Sequence, residues 1–241
     1  MYELALFSGA GGGILGGKMC GWRTIGAVES AQYPRETLIK NQERGSLEFF
    51  PIWDDIKTFR LDNEQTTSFF ELLRRHRRNL IISGGFPCQP FSTAAAGKNN
   101  AEDLWPEMLR VIEEIKPRFV FCENVQRRPI EKASKDLTRV GFRSLYTKLS
   151  SKDVGGFHRR NRWWLLGDSD VRREPESENN DEAQILQSVC RSLRSWKNRP
   201  TEIGMVDGVA DRLDRIKAIG NGQDPYVACE AYKFLKNVLE K

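Results

Sequence analysis

Apolar residues gather along the chain in short runs, set between glycine-rich turns and longer stretches in which they recur every three or four positions. The runs Glu3–Phe7, Thr24–Val28, Leu80–Ile82, Pro117–Cys122 and Phe142–Ser150 predict strands, and Arg162 runs into another at Trp163–Leu166. Pro51–Ile56 is a short apolar and acidic stretch that predicts a further strand end. Helical spacing is expected from the Gly13 turn to about Cys20, around Pro34–Asn41, over residues 64–76, and over Asp103–Ile115, with Leu104, Met108, Val111 and Ile112 on one side. Gln184–Lys197 predicts a small amphipathic helix. A last helix runs from Pro225 to about Leu239, with Asp224 as N-cap and Pro225 at its first position. Strands alternating with helices predict an α/β fold.

Two turns carry candidate chemistry. Gly84-Gly85-Phe86-Pro87-Cys88-Gln89-Pro90-Phe91-Ser92 follows the buried run Leu80–Ile82. The glycines let the backbone leave the strand, and the prolines stiffen the turn on both sides of Cys88. A thiol presented at a strand's C-terminal end is a candidate nucleophile. Ala94–Asn100 beyond it is small and polar, as a lid would be. The first strand ends in Ser8-Gly9-Ala10-Gly11-Gly12-Gly13, a turn that brings backbone N–H groups to a ligand at a helix N-terminus; its spacing is not GxGxxG, which argues against NAD. Glu29 ends the second strand, where a carboxylate accepts hydrogen bonds from ribose hydroxyls. Glu123 ends the Pro117–Cys122 strand near the Cys88 loop and is a candidate general acid. Arg160 and Arg162 would share one face of a strand, forming a fork for a phosphate or a base carbonyl, while Trp163 and Trp164 read as packing residues.

Composition narrows the setting. The 241 residues carry a net charge of +5 and five scattered cysteines, with no CxxC pair. That spacing predicts neither a metal site nor a disulfide framework, and free thiols predict a cytoplasmic protein. The excess of base suits a polyanionic partner. Arg74–Arg78 reads as a solvated helix end. No run has the length of a membrane span and no signal peptide is evident. At Gly167 the composition turns acidic and polar through Glu182. This predicts a core over 1–166, a variable segment over 167–206 and a C-terminal segment over 207–241.

The blocks Phe7–Gly12, Gly85–Ser92, Glu123-Asn124-Val125, Arg160-x-Arg162 and Gly220-Asn221 occur in the order seen in cytosine-C5 DNA methyltransferases, and the chain resembles the compact phage and prophage members. The resemblance implies a Rossmann-like S-adenosylmethionine domain with a mostly parallel sheet, and a last helix that returns to the first cofactor turn. It implies cofactor contacts from Phe7, Ser8, Gly9, Gly11, Gly12, Glu29, Asp55, Ile56, Leu104 and Asn221. It assigns catalysis to Cys88 and Glu123. Arg160 and Arg162 join the catalytic set and hold the flipped nucleotide, while Gln89 and Ser92 belong to the loop closing over it. Ala5 and His158 depart from the usual Asp and Gln. In this family the target reader lies between the Arg-x-Arg and Gly-Asn blocks, an interval that is short here. A very short recognition sequence, relaxed specificity or an accessory specificity protein is therefore expected, on a monomer acting on double-stranded DNA. An RNA (tRNA) cytosine-5 methyltransferase and a non-catalytic nucleic-acid binder are the alternatives.

Overall fold

The computed structural model describes residues 1–87, 102–156, 160–170 and 222–240. Cys88, Gln89, Ser92, His158, Asn221 and the expected Gln184–Lys197 helix lie outside these residues.

Seven strands form one sheet: β1 (Tyr2–Leu6), β2 (Arg23–Val28), β3 (Ile52–Trp53), β4 (Leu80–Gly84), β5 (Phe119–Asn124), β6 (Arg143–Ser150) and β7 (Asn161–Asp168). Their spatial order is β3-β2-β1-β4-β5-β7-β6. The first five are parallel, and β7 runs antiparallel to both β5 and β6. The sheet is therefore mostly parallel, as expected. β4 and β5 are buried at every position, which is why they read as continuous apolar runs without alternation.

Among the described residues six α-helices cover the two faces: α1 (Gly12–Met19), α2 (Gln32–Glu43), α3 (Thr67–Arg75), α4 (Trp105–Ile115), α5 (Arg127–Arg139) and α6 (Pro225–Leu239). Alternate strand residues divide between them. Leu80, Ile82, Val120 and Cys122 pack with Phe70, Met108, Ile112, Ile130 and Leu137 of α3, α4 and α5. Ile81, Phe119 and Phe121 pack with Val227, Ala231 and Leu235 of α6. Leu38 of α2 and Ile14 of α1 close the same side over Ala5 and Ala27. A side chain on Gly16 would put its Cβ 2.8 Å from the Pro225 carbonyl oxygen and 2.9 Å from the Ala228 Cβ. The close approach of α1 and α6 needs a glycine there.

The helix α5 is absent from the sequence expectations. It buries Pro129, Ile130, Ala133 and Leu137, a narrow stripe in a charge-rich segment. The composition change expected at Gly167 lies close to the end of β7. β7 continues to Asp168, which is buried and lies 3.6 Å from the Arg118 Nε in an ion pair. The change in composition thus falls inside a strand. The Pro51–Ile56 stretch contributes only two strand residues, and α4 starts at Trp105 with Leu104 as its N-cap. The last helix is as expected: the Asp224 carboxylate accepts hydrogen bonds from Tyr226 N and Val227 N.

Among the described residues no helix is long and apolar enough to cross a membrane, and no group of three or more His, Cys, Asp or Glu could hold a metal ion.

Candidate active site

The C-terminal ends of β1, β2, β4 and β5 lie side by side, with Leu6 paired to both Val28 and Gly84, and Gly84 to Cys122. Two constellations meet there.

The first is the turn after β1. Phe7 has φ +51°, Gly9 +54° and Gly11 +93°, so the chain turns through three left-handed residues in five positions. Ser8 N donates to Val28 O at 3.2 Å, and Gly11 N donates back to Ser8 O at 3.0 Å. The Gly9 N–H donates to Glu29 Oε2 at 2.7 Å, and the Ala31 N–H donates to Oε1 at 2.8 Å. Glu29 is buried and held by backbone at the end of β2; each oxygen keeps a second lone pair for a hydroxyl. The turn opens α1, whose N-cap Gly11 offers no side-chain cap and whose first turn has no acid. Its N–H groups remain available to an anion. A Cβ on Gly9 would meet nothing within 4 Å, so the turn borders open space.

The second constellation surrounds Glu123, which is 6 % exposed at the end of β5. Its Oε1 lies 2.7 Å from the Arg162 Nε. The N–H is not aimed along that line, so Oε1 stays without a hydrogen bond among the described residues. Gln223, just before α6, lies beside the same acid: a Cβ on Gly85 would be 3.2 Å from its Nε2 and 2.8 Å from Glu123 Oε2. Burial pushes the Glu123 carboxyl up to about 7, against the opposing pull of Arg162, Arg160 and Gln223. Near neutrality it therefore exchanges readily between acid and carboxylate. Arg160 donates through Nη2 to the Gly222 carbonyl, and burial lowers its pKa from the ordinary arginine range. Arg162, on β7, and Arg160, just before it, thus both bear on one acid.

The loop toward Cys88 is tied to this acid at its root. A Cβ on Gly85 would lie 2.8 Å from Glu123 Oε2. Asn124 Nδ2 donates to Phe86 O at 3.0 Å, and the Phe86 ring packs on Trp105 with centroids 5.0 Å apart. Leu104 N donates to Pro87 O at 3.2 Å. Cys88 itself, with Gln89 and Ser92, lies outside the described residues, as does Asn221. One cleft joins the two constellations, bordered by Phe7, Gly9, Ile14, Gly85, Glu123 and Gln223 among others.

The remaining expected positions are more peripheral. Ile56 is buried in the main core, with partly buried Leu104 packed against it. Asp55 follows β3, and its Oδ1 accepts from Lys57 N at 2.9 Å. Trp164 is buried and stacks on Phe121, while Trp163 lies under the Arg127 guanidinium, so both tryptophans are packing residues. Gln223 and Asn124 were missed by sequence reasoning. Asn124 stands beside Glu123 in a motif already noted, whereas Gln223 carries no sequence signal beyond its place after the Gly-Asn turn.

A model of the C-5 cytosine-specific DNA methylase family matches residues 1–221. The chain belongs to this family. Among its relatives, the type II methyltransferase M1.HphI of Haemophilus parahaemolyticus is 31% identical over 183 residues, covering 68% of this chain and 45% of the relative. The type II methyltransferase M.PspPI of Psychrobacter sp. is 36% identical over 126 residues, covering 50% of this chain and 26% of the relative. The chain thus spans less than half the length of these curated relatives. Among solved structures, the DNMT2 E260A/E261A/K263A mutant of Spodoptera frugiperda superposes with a TM-score of 0.63 at 14% identity, over 98% of this chain and 99% of that one. The Dnmt2 methyltransferase of S. pombe gives 0.55 at 20% identity, over 78% and 55%. These likenesses show the fold, a Rossmann-like α/β arrangement with a mostly parallel sheet.

Proposed function

We propose that the chain is a DNA (cytosine-5-)-methyltransferase that transfers a methyl group from S-adenosylmethionine to a cytosine flipped out of the duplex. The observation that carries the reading is Glu123: a buried carboxyl poised near neutrality, backed by two arginines, beside the root of the Cys88 loop.

The residues fit the methyl donor. The uncapped N-terminus of α1 suits its carboxylate, the left-handed turn at Phe7–Gly11 gives it backbone access, and Glu29 offers lone pairs to ribose hydroxyls. Ser8, Gly12, Asp55, Ile56, Leu104 and Asn221 complete the proposed contacts. The donor supplies an electrophilic methyl on a sulfonium.

Cytosine C5 is a poor nucleophile unaided. The Cys88 thiolate adds to C6 while Glu123 gives its proton, or a hydrogen bond, to N3 and accepts from the exocyclic amine. The electron pair of the C5–C6 double bond then becomes available at C5 for the methyl. Loss of the C5 proton to a base, through water, restores the double bond and expels Cys88 from C6. Arg160 and Arg162 hold the nucleotide, and Gln89 and Ser92 lie on the loop over it. Flipping is required because C6 is shielded in stacked DNA.

The organisation proposed is a catalytic core over 1–166, a short reader over 167–206 and a segment over 207–241 that returns to the core. The packing of α6 on α1 at Gly16 supports the last part. So short a reader suits a short recognition sequence or an accessory specificity protein. A cytoplasmic monomer in a bacterial or phage-infected cell, in restriction-modification or its evasion, completes the reading. Tritiated S-adenosylmethionine with DNA or tRNA tests it: label in DNA is expected, label in RNA alone favours the RNA alternative, and none in either overturns the enzyme. Bisulfite sequencing of a plasmid from expressing cells then reports the sequence context.

A further inference from the structure

Three glycines crowd a single glutamine. A Cβ on Gly12 would lie 2.1 Å from the Gln223 carbonyl oxygen, and one on Gly13 would lie 2.3 Å from its side-chain Oε1. A Cβ on Gly85 would lie 3.2 Å from its Nε2 and 2.8 Å from Glu123 Oε2. The amide therefore spans the gap between α1 and the acid, its oxygen over the first turn of α1 and its nitrogen beside Glu123. Gln223 Nε2 and Glu123 Oε2 thus border the same point beside Gly85, which aims the amide nitrogen toward Oε2. Gln223 is fixed from behind as well, since Arg160 donates to the neighbouring Gly222 carbonyl and Asp224 caps α6 and accepts from Ser151 Oγ at 2.7 Å.

We propose that Gln223 is a positioning residue for Glu123, holding its Oε2 and setting the acid's orientation relative to the glycine turn that opens α1. The inference rests on the methyltransferase reading for its kinetic consequence, though not for the contact itself. Glutamine suits the place because one end donates and the other accepts. Asparagine is a carbon too short to span it, leucine fills it without a donor, and glutamate sets a like charge against the acid. Arg162 and Arg160 are the charged groups that bear on Glu123 among the described residues, and Asp224 bears on Arg160 in turn; α1 and the β4 loop present glycines. A donor hydrogen bond to the carboxylate favours its charged form, so loss of Gln223 raises the acid's midpoint.

The test uses the full chain with carboxyl-labelled glutamate, the Glu123 resonance being identified by its loss in Glu123→Gln. In Gln223→Leu the Glu123 titration midpoint is expected to rise by about one pH unit. Its kcat is expected to fall roughly 10- to 100-fold, with the pH limb of activity moving the same way. Binding of S-adenosylmethionine should stay within about threefold. Gln223→Glu, close in size, should raise the midpoint further and serves if the leucine variant does not fold. A merely structural residue would lower stability and cofactor binding and leave the midpoint in place, and that result overturns the proposal. A wild-type chain with no methyl transfer overturns the methyltransferase reading instead, while the titration still decides the role of Gln223.

A separate observation supports a second inference. Cys20, at the C-terminal end of α1, donates to Cys229 of α6 with sulfurs 3.0 Å apart. Cys20 is half-buried and Cys229 buried, and both are free thiols. The hydrogen bond from Cys20, with Lys233 nearby, favours loss of the pair's first proton by lowering the Cys229 thiol to about 7. We infer that the pair is a modification site for hydroperoxides, oxidised to a disulfide joining α1 to α6. A thiolate sulfur attacks the peroxide, the O–O bond breaks and hydroxide leaves. The second sulfur then displaces the hydroxyl of the sulfenic acid as water, so two thiols lose two electrons and hydrogen peroxide becomes two waters. Peptide mapping of the full chain after dilute hydrogen peroxide is expected to show a Cys20–Cys229 link, with melting raised by about 5 °C or more. Both thiols remaining alkylatable while other cysteines oxidise overturns this inference.

Discussion

Replacing Glu3 with glutamine should make the protein more stable at alkaline pH than at acid pH, relative to the wild type. Glu3 lies in the middle of the sheet with no solvent exposure. Ser83 Oγ donates to its Oε1 and Thr24 Oγ1 to its Oε2, each at 2.6 Å, tying β1 to both neighbours. Burial nevertheless dominates these hydrogen bonds and raises the carboxyl from 4.5 to about 7. Between those values the unfolded chain has lost the proton and the folded chain still holds it. Stability therefore falls as pH rises from about 4.5 through about 7, by about 3 kcal/mol in all. Glutamine keeps the shape and both hydrogen bonds, because a hydroxyl can turn to accept from its amide, and it has no proton to lose. The difference in stability between variant and wild type should thus grow by about 3 kcal/mol from pH 4.5 to pH 8. For a chain of this length that is roughly 6–12 °C in Tm. Urea unfolding at half-unit pH steps measures it, with Glu123→Gln as a background in which the other neutral-range carboxyl is silent. Parallel curves for the wild type and Glu3→Gln would refute the reasoning.

Cys88→Ser is expected to abolish methyl transfer while leaving S-adenosylmethionine binding intact by calorimetry, and to lose the adduct trapped on 5-fluorocytosine DNA. Glu123→Gln should lower kcat by roughly 10²–10⁴-fold. Wild-type kcat/KM should decline as pH rises past about 7, where the acid loses its proton, and that limb should vanish in the variant. Gly12→Ala puts a Cβ 2.1 Å from a backbone oxygen of Gln223, so the C-terminal segment must shift; a stability loss of about 1–3 kcal/mol and at least tenfold weaker cofactor binding are expected by urea unfolding and calorimetry.

The strands were legible because a parallel sheet buries both faces, which leaves uninterrupted apolar runs such as Leu80–Ile82. The place of the candidate site was legible because glycines, prolines and acids stand where strands end, at Phe7–Gly12, Glu29, Gly84–Pro87 and Glu123. Helix α5 was hidden because only a few of its thirteen residues are buried. The true end of β7 was hidden because Asp168, acidic in composition, is a buried partner of Arg118.

Sequence alone marked the candidate groups and the order in which they occur. Tertiary structure decided how they are tuned. The Glu123 carboxyl reaches about 7 because burial at the end of β5 outweighs the opposing pull of Arg162, which β7 holds 2.7 Å away. Gln223 reaches it only because α6 packs back on α1 through Gly16. The charges and the amide that act on Glu123 stand 37 to 100 positions away from it along the chain, at Arg160, Arg162 and Gln223, and no local pattern records them.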